Sequence, residues 1–144
     1  MRIHTDDRRS VWLEIFHDAL PQGQLNVTRV WPGAILAWHR HEHQDDRMVV
    51  IQGTLKVGVW EPGQSAACIW TVLTETDPKE LVIPRGLWHG YQNIGSEPAI
   101  VLTWINQPYD PEDEHRLDPD PDQWEWRVTR RTEQTVPSWT RKNR

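Results

Sequence analysis

Two short stretches carry histidines at spacings that could do chemistry. The first runs Gly33-Ala-Ile-Leu-Ala-Trp-His39-Arg-His41-Glu-His43-Gln-Asp-Asp46, and the second runs Pro84-Arg-Gly86-Leu-Trp-His89-Gly-Tyr91-Gln-Asn93. Residues two apart on a strand share a face. His39 and His41 therefore point the same way, while His43 falls near the rim because Gln44 to Asp46 reads as a turn or loop. His89 arrives on a separate strand, after the Pro-x-Gly corner. Two same-face imidazoles plus a distant third form a metal-ligand grouping that suits Zn, Fe, Ni or Cu. Asp46 stands where a carboxylate would complete it. The same imidazoles, with an ordinary pKa of about 6.5, also suit proton transfer. Both chemistries stay open at this point.

The rest of the chain must hold these stretches in place. Turn signals recur at Pro21-Gln-Gly23, Pro32-Gly33, Gly53, Pro62-Gly63, Asp77-Pro78, Pro84-Arg-Gly86 and Gly95-Ser-Glu-Pro98. Between them lie short segments rich in Val, Ile, Trp and Thr. Leu25 to Val30 alternates in part, Met48 to Ile51 is a buried-type run, and Leu55, Val57 and Val59 alternate with Lys56, Gly58 and Trp60. Ile69 to Leu73, Glu80 to Ile83 and Ala99 to Trp104 read as further strands. No helical period is convincing before residue 105. Short strands at close spacing predict an all-β barrel or sandwich.

The chain has 144 residues and a net charge of -5. One domain is expected, with a barrel core at about 10–106, an acidic strap at 107–126 and a basic tail at 127–144. The acidic balance argues against a nucleic-acid partner. No segment approaches the roughly 20 apolar residues of a membrane span, so a soluble cytoplasmic protein is expected. The single cysteine, Cys68, allows no internal disulfide and reads as a half-buried residue. Ten Trp stand against one Phe. Trp38, Trp88 and Trp104 flank the motifs; they either face inward, stacking on a base or sugar, or pack the outer layer. Glu42, His43, His4, His17 and His115 read as surface residues, and Asn93 as a strand-end residue bonding backbone or a substrate contact.

Both motifs resemble those of the cupin superfamily. Gly33, His39, His41, Asp46 and Gly53 fit the first, with Asp for the usual Glu. Pro84, Gly86, His89 and Asn93 fit the second, with Pro78 in place of its first Gly. The resemblance implies a double-stranded β-helix, the cupin jelly-roll barrel. Leu81-Val-Ile-Pro-Arg-Gly-Leu-Trp-His-Gly-Tyr, Tyr109-Asp-Pro-Glu-Asp-Glu-His-Arg-Leu and Trp124-Glu-Trp are in turn similar to the dTDP-4-dehydrorhamnose 3,5-epimerase family, over roughly residues 30–126. That resemblance implies a homodimer acting without a metal on a 4-keto nucleotide sugar. A base would remove a proton next to the carbonyl and an acid would return one to the opposite face, in cell-surface polysaccharide or other deoxysugar biosynthesis.

Carried over, the base is His39, Arg47 falls on the family's lysine, and His89 is the histidine of His-Gly-Phe. The position of the acidic tyrosine is Thr103, leaving Tyr109 or Tyr91 to donate. Leu36 replaces an arginine. Trp38, His41, Trp88, Asn93 and Trp104 are the candidate substrate contacts. The alternative is a metal-dependent cupin, a dioxygenase or isomerase, holding one divalent transition metal with His39, His41 and His89, with or without Asp46. A third reading is a sugar-binding cupin without catalysis.

Overall fold

A computed structural model describes residues 2–13, 23–120 and 123–126. The basic tail and His17 lie outside these residues. The strands are β1 (Arg2–Thr5), β2 (Arg9–Leu13), β3 (Gln24–Val30), β4 (Ile35–Arg40), β5 (Asp46–Gln52), β6 (Thr54–Trp60), β7 (Ile69–Thr74), β8 (Leu81–Ile83), β9 (Trp88–Asn93), β10 (Ala99–Ile105) and β11 (His115–Arg116). Only two single 3-10 turns, Ser65–Ala67 and Pro111–Asp113, interrupt them among the described residues. No helix of these residues is long and apolar enough to cross a membrane.

The strands form two antiparallel sheets, ordered β1-β2-β3-β10-β5-β8 and β11-β4-β9-β6-β7. Their facing sides bury one apolar core, which includes Val30, Leu36, Met48, Val50, Leu55, Val57 and Val101. The strand pattern predicts an all-β barrel or sandwich, and the two sheets form the jelly roll that the cupin resemblance implies. Alternation selects its members: on β5, Asp46, Met48 and Val50 are buried while Arg47 and Ile51 face out. The run Met48 to Ile51 is therefore half-buried, with Ile51 50% exposed. β5 and β6 are joined through Gly53 alone, at φ +79, where a Cβ would press on Ala99. A side chain would be strained there both by φ and by space.

A second core lies on the outer face of the five-stranded sheet and is built from indoles. Trp38, Trp60, Trp124 and Trp126 are buried together, with Trp70, Trp88 and Cys68 packed against them. Gly58 makes room, since a Cβ at that position would sit 2.8 Å from Trp38 and 2.9 Å from Trp70. Trp124 and Trp126 belong to the acidic segment, which runs as a strap across this sheet. Leu117 exchanges backbone hydrogen bonds with Trp38, of 2.9 and 3.1 Å. The indole N–H groups of Trp38, Trp60, Trp124 and Trp126 are buried with no hydrogen-bond partner. Apolar area and ring packing therefore carry this cluster. Burial pushes the Cys68 thiol up to about 11, which leaves it a packing residue.

Candidate active site

β4 and β9 place the histidines. Their register pairs Leu36 with Tyr91, shifts, and then pairs His39 with His89. Ala37 and Trp38 together oppose Gly90, a β-bulge that resets the alternation of β4. Without it, Leu36 and His39 would face opposite sides. With it, both point into the barrel, Trp38 points out to the indole cluster, and His41 follows His39 inward. Gly90 accommodates the bulge, because a Cβ there would collide with Ala37.

These side chains line a cavity of about 400 Å³ inside one end of the barrel. His39, His41, Asp46, His89 and Tyr91 meet there with Thr28, Met48 and Thr103. Arg9, Tyr109, Glu114 and Arg116 close it from the N-terminal strands and the strap. His41, Asp46 and His89 are buried, and one potential ligand atom from each lies within 4.8 Å of the others. Asp46 is thus the first residue of β5 rather than part of a turn. His39 stands outside this triad, its ring centre 6.2 Å from that of His89.

Each member of the triad is oriented by a neighbour. His41 Nδ1 lies 3.2 Å from the carbonyl oxygen of Asp113, and His89 Nδ1 lies 3.2 Å from that of Leu87. A carbonyl can only accept, so both Nδ1 atoms carry hydrogen and both Nε2 atoms turn inward. His89 Nε2 is 3.1 Å from Asp46 Oδ2, and Gln44 donates to Asp46 Oδ1 at 2.6 Å. Imidazoles oriented through their outer nitrogen by a carbonyl, beside an oriented carboxylate, have the second shell of a metal site. The donor set of two imidazoles and one carboxylate fits a divalent transition metal. Burial alone would raise the Asp46 carboxyl, but contacts from His89, Gln44 and His41 outweigh it and hold the group below the ordinary range. Burial lowers His41, against the pull of Asp46.

His39 is pushed down to about 3, first by burial and then by His89, while Glu114 works in the opposite direction. It is therefore a neutral imidazole. Burial would raise Glu114, but Arg116 and His39 outweigh this and lower it. Arg116 Nη2 donates to Glu114 Oε2 at 2.7 Å, and the Tyr109 hydroxyl donates to the same oxygen at 3.1 Å. Tyr109 is raised by burial and by Glu114. Tyr91 is raised by desolvation, against its hydrogen-bond partners Thr28 and Arg9.

Other expected site residues lie elsewhere. Arg47 faces solvent, its Nε 2.6 Å from Glu80 Oε1, because it has the opposite parity to Asp46 on β5. Trp38 is buried in the outer indole cluster and Trp88 stacks on Trp60 at 5.6 Å, with the Arg40 guanidinium above its ring. Trp104 has the parity opposite to the cavity-lining Thr103 and Ile105 and packs beside Gly23. All three indoles take the outer-layer alternative. Asn93 donates to the carbonyls of Val30 and Glu97 and accepts from Gly95 N–H, so it braces a turn. Glu42 and His43 are exposed as expected, and so is His115; His4 is exposed at the cavity rim. Sequence reasoning missed Arg9, Asp113, Glu114 and Arg116. The signal for Glu114 lay within the Tyr109-Asp-Pro-Glu-Asp-Glu segment.

The family of the polysaccharide biosynthesis C-terminal domain matches residues 4–117. The probable low-salt glycan biosynthesis epimerase Agl13 of Haloferax volcanii is 30% identical over 118 residues, covering 74% of this chain and 75% of Agl13. The spore coat polysaccharide biosynthesis protein SpsL of Bacillus subtilis is 30% identical over 124 residues, covering 79% and 82%. Among solved structures, the capsular polysaccharide assembling protein CapF of Staphylococcus aureus superposes with a TM-score of 0.72 at 22% identity. That match covers 81% of this chain and 31% of CapF, so the chain spans about a third of that protein. Oxalate decarboxylase of Lactobacillus farciminis, at 25% identity and a TM-score of 0.65, shares the same cupin barrel. The chain is a cupin and belongs to the polysaccharide biosynthesis C-terminal domain family.

Proposed function

We propose that this protein is an epimerase-type isomerase of polysaccharide biosynthesis. It moves a proton next to the carbonyl of a 4-keto nucleotide sugar, with a divalent transition metal held by His41, Asp46 and His89. The carrying observation is the division of labour in one cavity: an oriented donor triad, and beside it a neutral His39 with a carboxylate at hand. The metal, when bound, supplies Lewis-acid polarisation of a carbonyl oxygen. This departs from the metal-free mechanism that the epimerase resemblance implied.

The protein's own residues handle the protons. His39, neutral because it is buried, offers its lone pair to the carbon acid. Glu114 stabilises the imidazolium that forms. Tyr109 and Tyr91 keep their protons, their pKa values being raised, and one of them returns a proton to the opposite face. A second cavity of about 240 Å³ shares His39, Arg9 and Arg116 with the first and adds Arg8. Three guanidinium groups beside the reacting cavity suit the diphosphate of a nucleotide-linked substrate. They offset the loss of the arginine replaced by Leu36. The exposed apolar residues Ile51 and Val82, 50% and 52% accessible, sit on the six-stranded sheet, where a second copy would form the homodimer.

The test is solvent deuterium wash-in. Incubated with a divalent metal and a 4-keto nucleotide sugar in heavy water, the protein should place deuterium on a carbon next to the carbonyl. His39→Asn should lower the rate on the order of 100-fold or more with the fold intact. Tight binding without exchange would replace this reading with that of a sugar-binding cupin.

A further inference from the structure

We propose that Asp113 is a positioning residue for the triad, fixing His41 directly and Asp46 through Gln44. The inference rests on the metal reading above and adds a residue that neither cupin motif contains. Asp113 ends the Pro111–Asp113 turn of the strap and is 5% exposed. Its carboxylate accepts three consecutive backbone N–H groups: Glu42 at 2.8 Å, His43 at 3.1 Å and Gln44 at 3.2 Å. Those residues lie in the short link, residues 41–45, between β4, which carries His39 and leads into His41, and β5, which opens on Asp46.

The consequences reach the ligands by two routes. The Asp113 carbonyl receives the Nδ1–H of His41 at 3.2 Å, which leaves the Nε2 lone pair facing the triad. The Asp113 carboxylate anchors the backbone of Gln44, whose side-chain amide donates to Asp46 Oδ1 at 2.6 Å. One residue of the strap thus holds two of the three donors. The far side of the same loop is fixed independently. Arg85 grips Asp45 at 3.0 and 2.7 Å, and Gly86 N–H bonds the His41 carbonyl at 2.7 Å. Cutting the Asp113 bonds should therefore loosen the donors without releasing the loop.

The experiment titrates Co²⁺ into the full-length metal-free protein, reading affinity and the visible d–d spectrum. In Asp113→Asn, one oxygen is replaced by an NH2 group that faces N–H donors; the backbone carbonyl that receives His41 remains but loses the carboxylate anchor that holds it in place. Affinity should weaken about 10–100-fold, the usual cost of losing an outer-shell partner. The d–d bands should shift, while the far-ultraviolet circular dichroism stays as in the wild type. Asp113→Glu should recover part of the affinity. Gln44→Leu cuts only the second route, leaves the strap untouched, and should cost about tenfold; it decides the matter if Asp113→Asn does not fold. Wild-type affinity and spectrum in Asp113→Asn, or in Gln44→Leu where only that variant folds, would overturn the proposal and leave Asp113 a loop cap beside an intact metal site. A wild-type protein that takes up no Co²⁺ would overturn the metal reading itself, and the proposal with it.

Discussion

Replacing Trp126 with alanine would separate the strap from the barrel. Trp126 is fully buried, its ring 4.9 Å from that of Trp38 and 4.8 Å from that of Trp70 in perpendicular contact. Truncating a buried Trp to Ala costs about 3–5 kcal/mol. Two features lower that figure here. The indole N–H of Trp126 is buried without an acceptor, a penalty of roughly 1–3 kcal/mol that the variant no longer carries. The strap can also lift or settle, so part of the void closes. A loss of about 2–3 kcal/mol is expected, at or just below the lower bound of the buried-aromatic range. Urea denaturation followed by circular dichroism measures it. Native-state hydrogen exchange shows where it falls: the Trp38 and Leu117 amides, which bond each other's carbonyls, should lose protection first. The proposed activity should drop too, because Asp113 and Glu114 ride on the same strap. A loss under about 1 kcal/mol, with Leu117 still protected, would refute the claim that the indole cluster anchors the strap.

Three further outcomes follow from the geometry. His39 has a folded pKa of about 3 against 6.5 unfolded, so the unfolded chain binds the extra proton between those values. The stability His39 contributes is present above pH 6.5 and is lost as pH falls toward 3. His39→Gln should flatten this part of the stability curve, as judged by urea midpoints at pH 5 and pH 7. Arg47→Ala should leave kcat/KM unchanged in the wash-in assay, because Arg47 faces solvent and pairs with Glu80. Gly58→Ala should destabilise by about 1–3 kcal/mol through overpacking, seen as a lower Tm, since the new methyl meets Trp38 and Trp70.

Much of the barrel was legible because its strands are short, alternating and separated by Gly and Pro. The triad was legible in part. His41, Asp46 and His89 were all nominated by spacing, yet the metal alternative counted His39 among its three histidine ligands, with Asp46 as the optional fourth, while the epimerase reading made His39 the base. Strand parity alone cannot separate His39 from His41. The difference is one of reach: His39 lies deeper along β4, opposite His89, while His41 lies beyond the strand's end. The bulge at Ala37 and Trp38 carries no sequence mark beyond the small Ala37 and Gly90 that it requires. It sends Trp38 out to the indole cluster, which is why an indole next to the motif lines no pocket. Arg47 was placed by resemblance, although the alternation of β5 already opposed it to Asp46. Arg9, Asp113 and Glu114 come from distant strands and from the strap, and only the folded chain brings them to the cavity.

The proposed division of labour assigns His41, Asp46 and His89 to a metal and leaves His39 free for proton transfer. Its most direct test is the metal content of the protein purified without a histidine tag or added metal, set beside that of His89→Ala and His39→Asn. About one divalent transition metal per chain is expected in the wild type and in His39→Asn, and none in His89→Ala. A wild-type protein that is metal-free and takes up none on titration would contradict it, as would a metal lost with His39 but kept without His89.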